Sequence, residues 1–342
     1  FKFAVLLMAL VGVVDASFAV LCGLLPSIGW VVARFYQQSV LGYNELGQQE
    51  TSLELGQSRF MFAQKLGRPL MLMCATFWRP VTSLNPLHPI RLVVFIVGMA
   101  SLLLSGFRSF LVVAGMQAIA GTIARKKSID LLIGGALAMI LLIGVIMSGV
   151  VEKLPWGAQR ALSIIPGIEV SGEIAEDAQK SADWRFEMWE LALTTDRYIK
   201  NKSLGDGFGL SAIEYSIRID EMLGLKRANE FSQLDYMMAK GSYHSFPVET
   251  IRYTGVMGLL VAITALIIFA RLSWSLIQYY RGRPEFGYVL FVTVPMLIHP
   301  IYYIFIYGSY KSPNGFMLIL IHVGLLKMLD NIRNREIAES DN

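Results

Sequence analysis

The sequence predicts an all-helical, polytopic integral membrane protein with one helical segment outside the bilayer on the extracytoplasmic side. Three observations carry this: an apolar composition, a series of uncharged runs approaching membrane length, and basic residues confined to alternate loops. Of 342 residues, 54% are hydrophobic and only 16% charged, against roughly 25% charged in soluble domains. With a mean hydropathy of +0.52, the surplus of apolar side chains calls for lipid as the solvent. The same arithmetic excludes a disordered chain, collagen, a coiled coil and a disulfide scaffold. Cys22 and Cys74 lie in apolar stretches and read as small buried hydrophobes. A net charge of +4 without a basic block among aromatics gives no nucleic-acid footprint.

The runs are taken in order. Phe1 opens inside an apolar stretch with neither methionine nor a basic n-region, which reads as a chain whose earlier spans lie outside it. Candidate spans follow at 11–35, 91–105, 109–124, 130–150, 254–273, 286–307 and 314–329. Between the first two, 37–68 is polar enough to lie outside the membrane. Residues 69–80 are apolar but too short to cross, and read as re-entrant or interfacial. The pair 91–105 and 109–124 is split by Ser105-Gly106-Phe107-Arg108-Ser109, and each half is short for a crossing of about 30 Å.

Orientation comes from Lys and Arg in the short loops. Arg125, Lys126 and Lys127, then Arg281 and Arg283, then Lys327, Arg333 and Arg335 all fall on one side when the spans alternate. The rule assigns that side to the cytoplasm and leaves Lys311 in the opposite loop. The long segment 151–250 is then extracytoplasmic; its eleven Lys/Arg face sixteen Asp/Glu, so it is acidic although the whole chain is basic. The resulting division is a transmembrane bundle over 1–150, truncated at its start, a loop domain over 151–252, C-terminal spans over 253–330 and a cytoplasmic tail over 331–342.

Within the outer segment, Asp183 to Tyr198 has helical periodicity. Trp184, Met188, Leu191 and Thr195 share a face that Phe186, Trp189 and Leu193 widen, and two tryptophans suit a membrane interface. Leu204-Gly205-Asp206-Gly207-Phe208-Gly209 supplies turn chemistry, but it is neither a GxGxxG nor a P-loop.

Four features could carry chemistry. Arg108 stands between two short apolar segments, where an ionisable group is costly and is kept for a partner or pathway, or else snorkels. Arg185, on the Trp-bearing helix, can grip a phosphate bidentately or merely face water. His244 lies in Gly241-Ser242-Tyr243-His244-Ser245-Phe246-Pro247, directly before a span, and is the single histidine of the outer segment. An imidazole there can take a proton from a hydroxyl or simply bond a backbone carbonyl. Glu249 and Arg252 follow at i,i+3 spacing, as a structural pair. There is no HExxH, CxxC or Asp-x-Asp in the outer segment, and no GxSxG or SxxK, so metal and serine-nucleophile chemistry have no visible ligand set.

Taken as a series, Ser105-Gly106-Phe107-Arg108-Ser109, Asp183-Trp184-Arg185-x3-Trp189, Leu204-Gly205-x-Gly207-x-Gly209 and Tyr243-His244-Ser245 resemble the O-antigen ligase and polymerase superfamily of bacterial envelope polysaccharide synthesis. The resemblance covers about 100–275 by motif and 1–90 by hydropathy alone. It implies a GT-C-like glycosyltransferase of the bacterial inner membrane with its site facing the periplasm. It further implies a polyprenyl diphosphate-linked glycan donor, a glycan or lipid-linked acceptor, and neither metal nor other cofactor. By matching motifs, Arg108 and Arg185 would bind the donor diphosphate and His244 would be the catalytic base, with Ser109, Trp189, Glu249 and Arg252 in support. Three departures stand out: Phe107 where a hydroxyl residue often precedes the arginine, Ser245 where asparagine is frequent, and a long 205–241 stretch whose Arg218, Lys226 and Arg227 read as a solvated helix. The competing reading is a polysaccharide or lipid transporter or flippase without chemistry. Such proteins carry charges mid-span, whereas here the notable residues lie at the outer rim.

Overall fold

The computed structural model describes residues 1–24, 63–209, 215, 237–238, 243–306 and 313–341. The expected polar stretch up to residue 62, the second half of the first span, Arg218, Lys226, Arg227, Gly241, Ser242 and Lys311 lie outside the described residues. Those described are overwhelmingly helical, and no strand occurs among them.

In chain order the helices are α1 (Lys2–Leu24), α2 (Ala63–Thr76), α3 (Pro89–Ser105), α4 (Arg108–Ala124), α5 (Ser128–Ser148), α6 (Trp156–Leu162), α7 (Gly172–Thr194), α8 (Phe246–Tyr280), α9 (Phe286–Ile301) and α10 (Pro313–Ser340). A 3-10 turn at Pro80–Leu84, another at Val150–Lys153 and a π-turn at Tyr302–Ile306 complete them. Among the described residues three segments are long and apolar enough to cross a membrane: Ser128–Ser148, Phe246–Tyr280 and Phe286–Ile306. The first has none of its apolar window buried. Leu132, Ile140 and Leu141 are 75%, 65% and 60% exposed at positions spread over half its circumference, a surface that costs free energy in water and none in lipid.

Several boundaries differ from the sequence reading. The first helix begins at Lys2, nine residues before the expected span, because the apolar run extends back to Phe3. The apolar stretch 69–80 is not one element: α2 starts at Ala63, carries Pro69 inside it and stops at Thr76. The Trp-bearing helix starts at Gly172 and ends at Thr194. The expected C-terminal tail is helical to Ser340, as the last span continues without a breaker.

The chain divides into two compact bodies, each described by itself. The first comprises Phe1–Ala178, Ser275–Pro295 and Met328–Asn342. Met71, Leu102, Phe110 and Ala114 form an apolar core between α2, α3 and α4. At one end of this body the basic loops are cross-bonded. Arg281 donates to the Ala124 carbonyl at 2.8 Å, Arg125 caps the carbonyls of Ala75 and Thr76, and Arg79 bonds Asp130 through two nitrogens. Burial, and then the neighbouring Arg79 charge, bring the Arg125 guanidinium down to about 10, still charged at neutral pH. Arg283 pairs with Glu336 at 2.5 Å and holds that carboxyl below its usual range. A cavity of about 370 Å³ lined by Lys2, Tyr280, Glu285 and Glu336 lies here, and it includes none of the candidate residues.

The second body comprises Gln179–Trp274 and Met296–Lys327. Its core joins Met188 and Ala192 of α7 to Ile199, Tyr243, Val248 and Ile251. Phe186 and Leu193, expected to widen the apolar face of α7, are 65% and 38% exposed. Helix α8 is in fact two helices: Gly255 has φ 68° and ψ −176°, so a short helix up to residue 254 ends there and a membrane-length helix of 256–280 begins.

Candidate functional site

In the first body, the residues around Arg108 form a tight reversal between two apolar helices. Gly106 closes α3 with φ 71°, a conformation open to glycine at little cost. The Ser105 hydroxyl donates to the Leu102 carbonyl at 2.6 Å and accepts the Phe107 N–H at 3.4 Å. Arg108 and Ser109 are therefore the first two residues of α4, both half-buried. The positive end of the helix dipole coincides there with a guanidinium, a combination that favours anions.

Two further arginines belong to this reversal. Arg160 of α6 is only 7% exposed; it donates to the Gly106 carbonyl at 3.1 Å and to Asp177 at 2.6 Å. The guanidinium of Arg68 lies 4.8 Å above the Phe110 ring, in the first turn of α4. Neither appears among the sequence candidates. Each lies far from Arg108 in sequence within an unremarkable local pattern, and only the packing of α2 and α6 on α3 and α4 brings them near.

In the second body, the sequence candidates Arg185, Trp189, His244, Glu249 and Arg252 are held by α7, the 243–245 segment and the first helix of α8. The indole N–H of Trp189 donates to the Tyr243 carbonyl at 2.7 Å, and the rings of Trp184 and His244 lie 5.8 Å apart. Tyr243 is fully buried in the core beneath. His244 takes φ 48°, the left-handed region that a non-glycine residue enters at a cost of about 1 kcal/mol or more. Ser245 then caps the helix, its hydroxyl accepting the Val248 N–H at 3.5 Å.

Burial, and then the positive charge of Arg185, pull the His244 imidazole below its ordinary value. Both causes oppose the charged ring and favour the neutral form, the one that can accept a proton. Arg185 and His244, distant in sequence, thus act on one another electrostatically. Glu249 is 1% exposed one turn into the helix, its N–H donating to the Ser245 carbonyl at 2.9 Å.

The glycine turn is stitched to the start of α8. Asp206 and Gly207 N–H groups donate to the carbonyls of Arg252 and Tyr253 at 2.8 and 3.1 Å, and the Val256 N–H returns a bond to Lys202 at 2.9 Å. The Asp206 carboxylate accepts the N–H groups of Lys200 and Asn201 and pairs with Arg252 at 3.3 Å. Arg252 therefore has an ion-pair partner, Asp206, that the i,i+3 spacing to Glu249 did not reveal. A side chain on Gly205 would meet the Thr254 nitrogen at 2.4 Å, and one on Gly255 the Ser203 oxygen at 2.1 Å. These two glycines are required by contact as well as by their positive φ.

A second polar cluster of this body lies on apolar helices. His299 and His322 have ring centroids 6.4 Å apart, His299 lies 5.1 Å from Tyr303, and Tyr303 lies 5.3 Å from Phe246. Among the described residues no group of three or more His, Cys, Asp or Glu comes together as a metal-binding set. Comparison of the chain with protein-family models, with curated proteins and with solved structures finds no match.

Proposed function

We propose that this protein is a multi-pass, GT-C-like glycosyltransferase of the bacterial inner membrane, of the O-antigen ligase or polysaccharide polymerase type. On this reading it moves a glycan from a polyprenyl diphosphate donor to an acceptor hydroxyl at the periplasmic face. The observation that carries the reading is a partly buried His244 under the positive charge of Arg185, on a segment that leads through the short helix up to residue 254 into a membrane-length helix. The cross-bonding of the Arg125, Arg281 and Arg283 loops at one end of the first body supports the polytopic orientation, since those are the positive loops.

In the proposed reaction the acceptor oxygen attacks the anomeric carbon as the bond from that carbon to the diphosphate oxygen breaks. The acceptor proton passes to His244, and the electron pair leaves with the diphosphate. Arg108 and Arg185 bind that group and stabilise the charge it gains, a role divalent ions fill elsewhere. Loss of one such fixed charge is worth about 3–4 kcal/mol, or two to three orders of magnitude in rate.

The test is glycan transfer in proteoliposomes supplied with a polyprenyl diphosphate-linked glycan and acceptor. Arg108→Ala, Arg185→Ala and His244→Ala should each insert normally and lose transfer; full transfer by all three ends the proposal. The alternative, a flippase or transporter, is favoured by one observation, the His299–His322 pair on apolar helices. Donor movement across the bilayer without transfer would select it.

A further inference from the structure

The turn 203–208 and the start of the membrane-length part of α8 are locked at one height. The Val256 and Met257 N–H groups donate to the carbonyls of Lys202 and Ser203 at 2.9 and 3.4 Å. The backbone nitrogen of Leu204 lies 2.5 Å from where a side-chain carbon on Gly255 would sit, a gap that only glycine leaves open. Phe208 stacks on Tyr253 with centroids 5.2 Å apart and rings within 3° of parallel. Leu204 and Phe208 therefore cannot move along the α8 axis independently of residues 253–257.

The charge pattern of α8 fixes where that height lies in a bilayer. No charged residue occurs between Arg252 and Arg271. From Val256, where the helix restarts, to Ala270 the rise is roughly 22 Å at 1.5 Å per residue, and residues 253–255 extend the uncharged stretch toward the hydrocarbon thickness of about 30 Å. A span that keeps both arginines at or beyond the hydrocarbon edges has its outer edge at residues 253–257. Leu204 and Phe208 are held at that edge, yet they are 68% and 72% exposed, beside Val256 and Met257 at 43% and 59%. Exposed large apolar side chains thus stand on both bonded segments, Leu204 and Phe208 on the turn and Val256 and Met257 on the span. Asp206, between them in sequence, is turned inward to the Lys200 and Asn201 N–H groups and Arg252.

We propose that Leu204 and Phe208 form an interfacial anchor, set into the headgroup–acyl boundary of the outer leaflet, with the bilayer itself as their partner. An exposed leucine and phenylalanine at the boundary gain by entering the acyl region, as the apolar faces of interfacial segments do. The anchor fixes the depth of the glycine turn, and with it the Arg252 to His244 segment on the other side of the same backbone bonds. It rests on residues 256–280 crossing the membrane and not on the transferase reading.

The experiment is nitroxide accessibility in phospholipid nanodiscs, using the full chain with Cys22 and Cys74 replaced by alanine. Spin labels are placed singly by Leu204→Cys and Phe208→Cys, with Glu190→Cys and Val261→Cys as references on exposed positions of α7 and of the span. The labels at 204 and 208 should collide more with oxygen and less with a water-soluble nickel chelate than the label at 190. Their depth should lie between those of 190 and 261. Nickel accessibility equal to that at 190 overturns the anchor, and exclusion of both reagents overturns it in favour of a protein partner.

Discussion

The indole N–H of Trp189 donates to the main-chain carbonyl of Tyr243 at 2.7 Å, joining α7 to a residue 54 positions away. The bond fixes the peptide immediately before His244, whose left-handed backbone leaves the imidazole dependent on that peptide plane. Trp189→Phe keeps an aromatic ring against Phe186 but leaves a carbonyl without its donor, a cost of about 1–3 kcal/mol. On the proposed transferase reading, transfer should fall about tenfold in kcat with donor KM nearly unchanged, as measured by steady-state kinetics in proteoliposomes.

His244→Asn separates conformation from chemistry. Asparagine tolerates positive φ better than most residues, so the variant should unfold within about 1 kcal/mol of the parent in a thermal scan. It has no group able to take the proton, and glycan transfer should be lost. Wild-type transfer by this variant would remove His244 from the reaction.

The Arg185 charge should be visible in the pH profile. With His244 as the proposed base, which must be neutral, activity should fall as pH drops through the imidazole pKa, which burial and Arg185 place below the usual value near 6.5. Arg185→Gln removes the second cause and leaves the first. The acid limb of its residual activity should therefore move upward toward 6.5 without passing it, and a limb that stays in place argues against the coupling.

Gly255→Ala and Gly207→Ala should differ sharply. Both have positive φ, but only Gly255 has backbone atoms within 2.5 Å of the added carbon, while Gly207 faces open space. Gly207→Ala should cost about 1 kcal/mol, and Gly255→Ala several, enough to detach the glycine turn from α8. Limited proteolysis within 202–209 should reveal the second and not the first.

Arg160→Ala tests the reversal that presents Arg108. The Arg160 side chain is buried, but Asp177 is 35% exposed, which puts the loss below the 3–5 kcal/mol of a fully buried pair, at about 2 kcal/mol. Midpoints of thermal unfolding in detergent check this.

The sequence alone determined which stretches need lipid, because hydropathy is a local sum. It places the apolar span of Ser128–Ser148 to within two residues at each end and that of Phe286–Ile306 to within one, and it singles out the 105–109 break, where glycine and serine chemistry is also local. It marks Arg108, Arg185 and His244 by type and position, yet not what surrounds them. Only the tertiary structure decided that Arg160 reaches the Gly106 carbonyl, that Asp206 pairs with Arg252, and that Gly205 leaves room for the backbone of 253–254 and Gly255 for that of 203–204. Those relations depend on segments many residues apart meeting at contact distance, and no periodicity or composition within either segment encodes its distant partner.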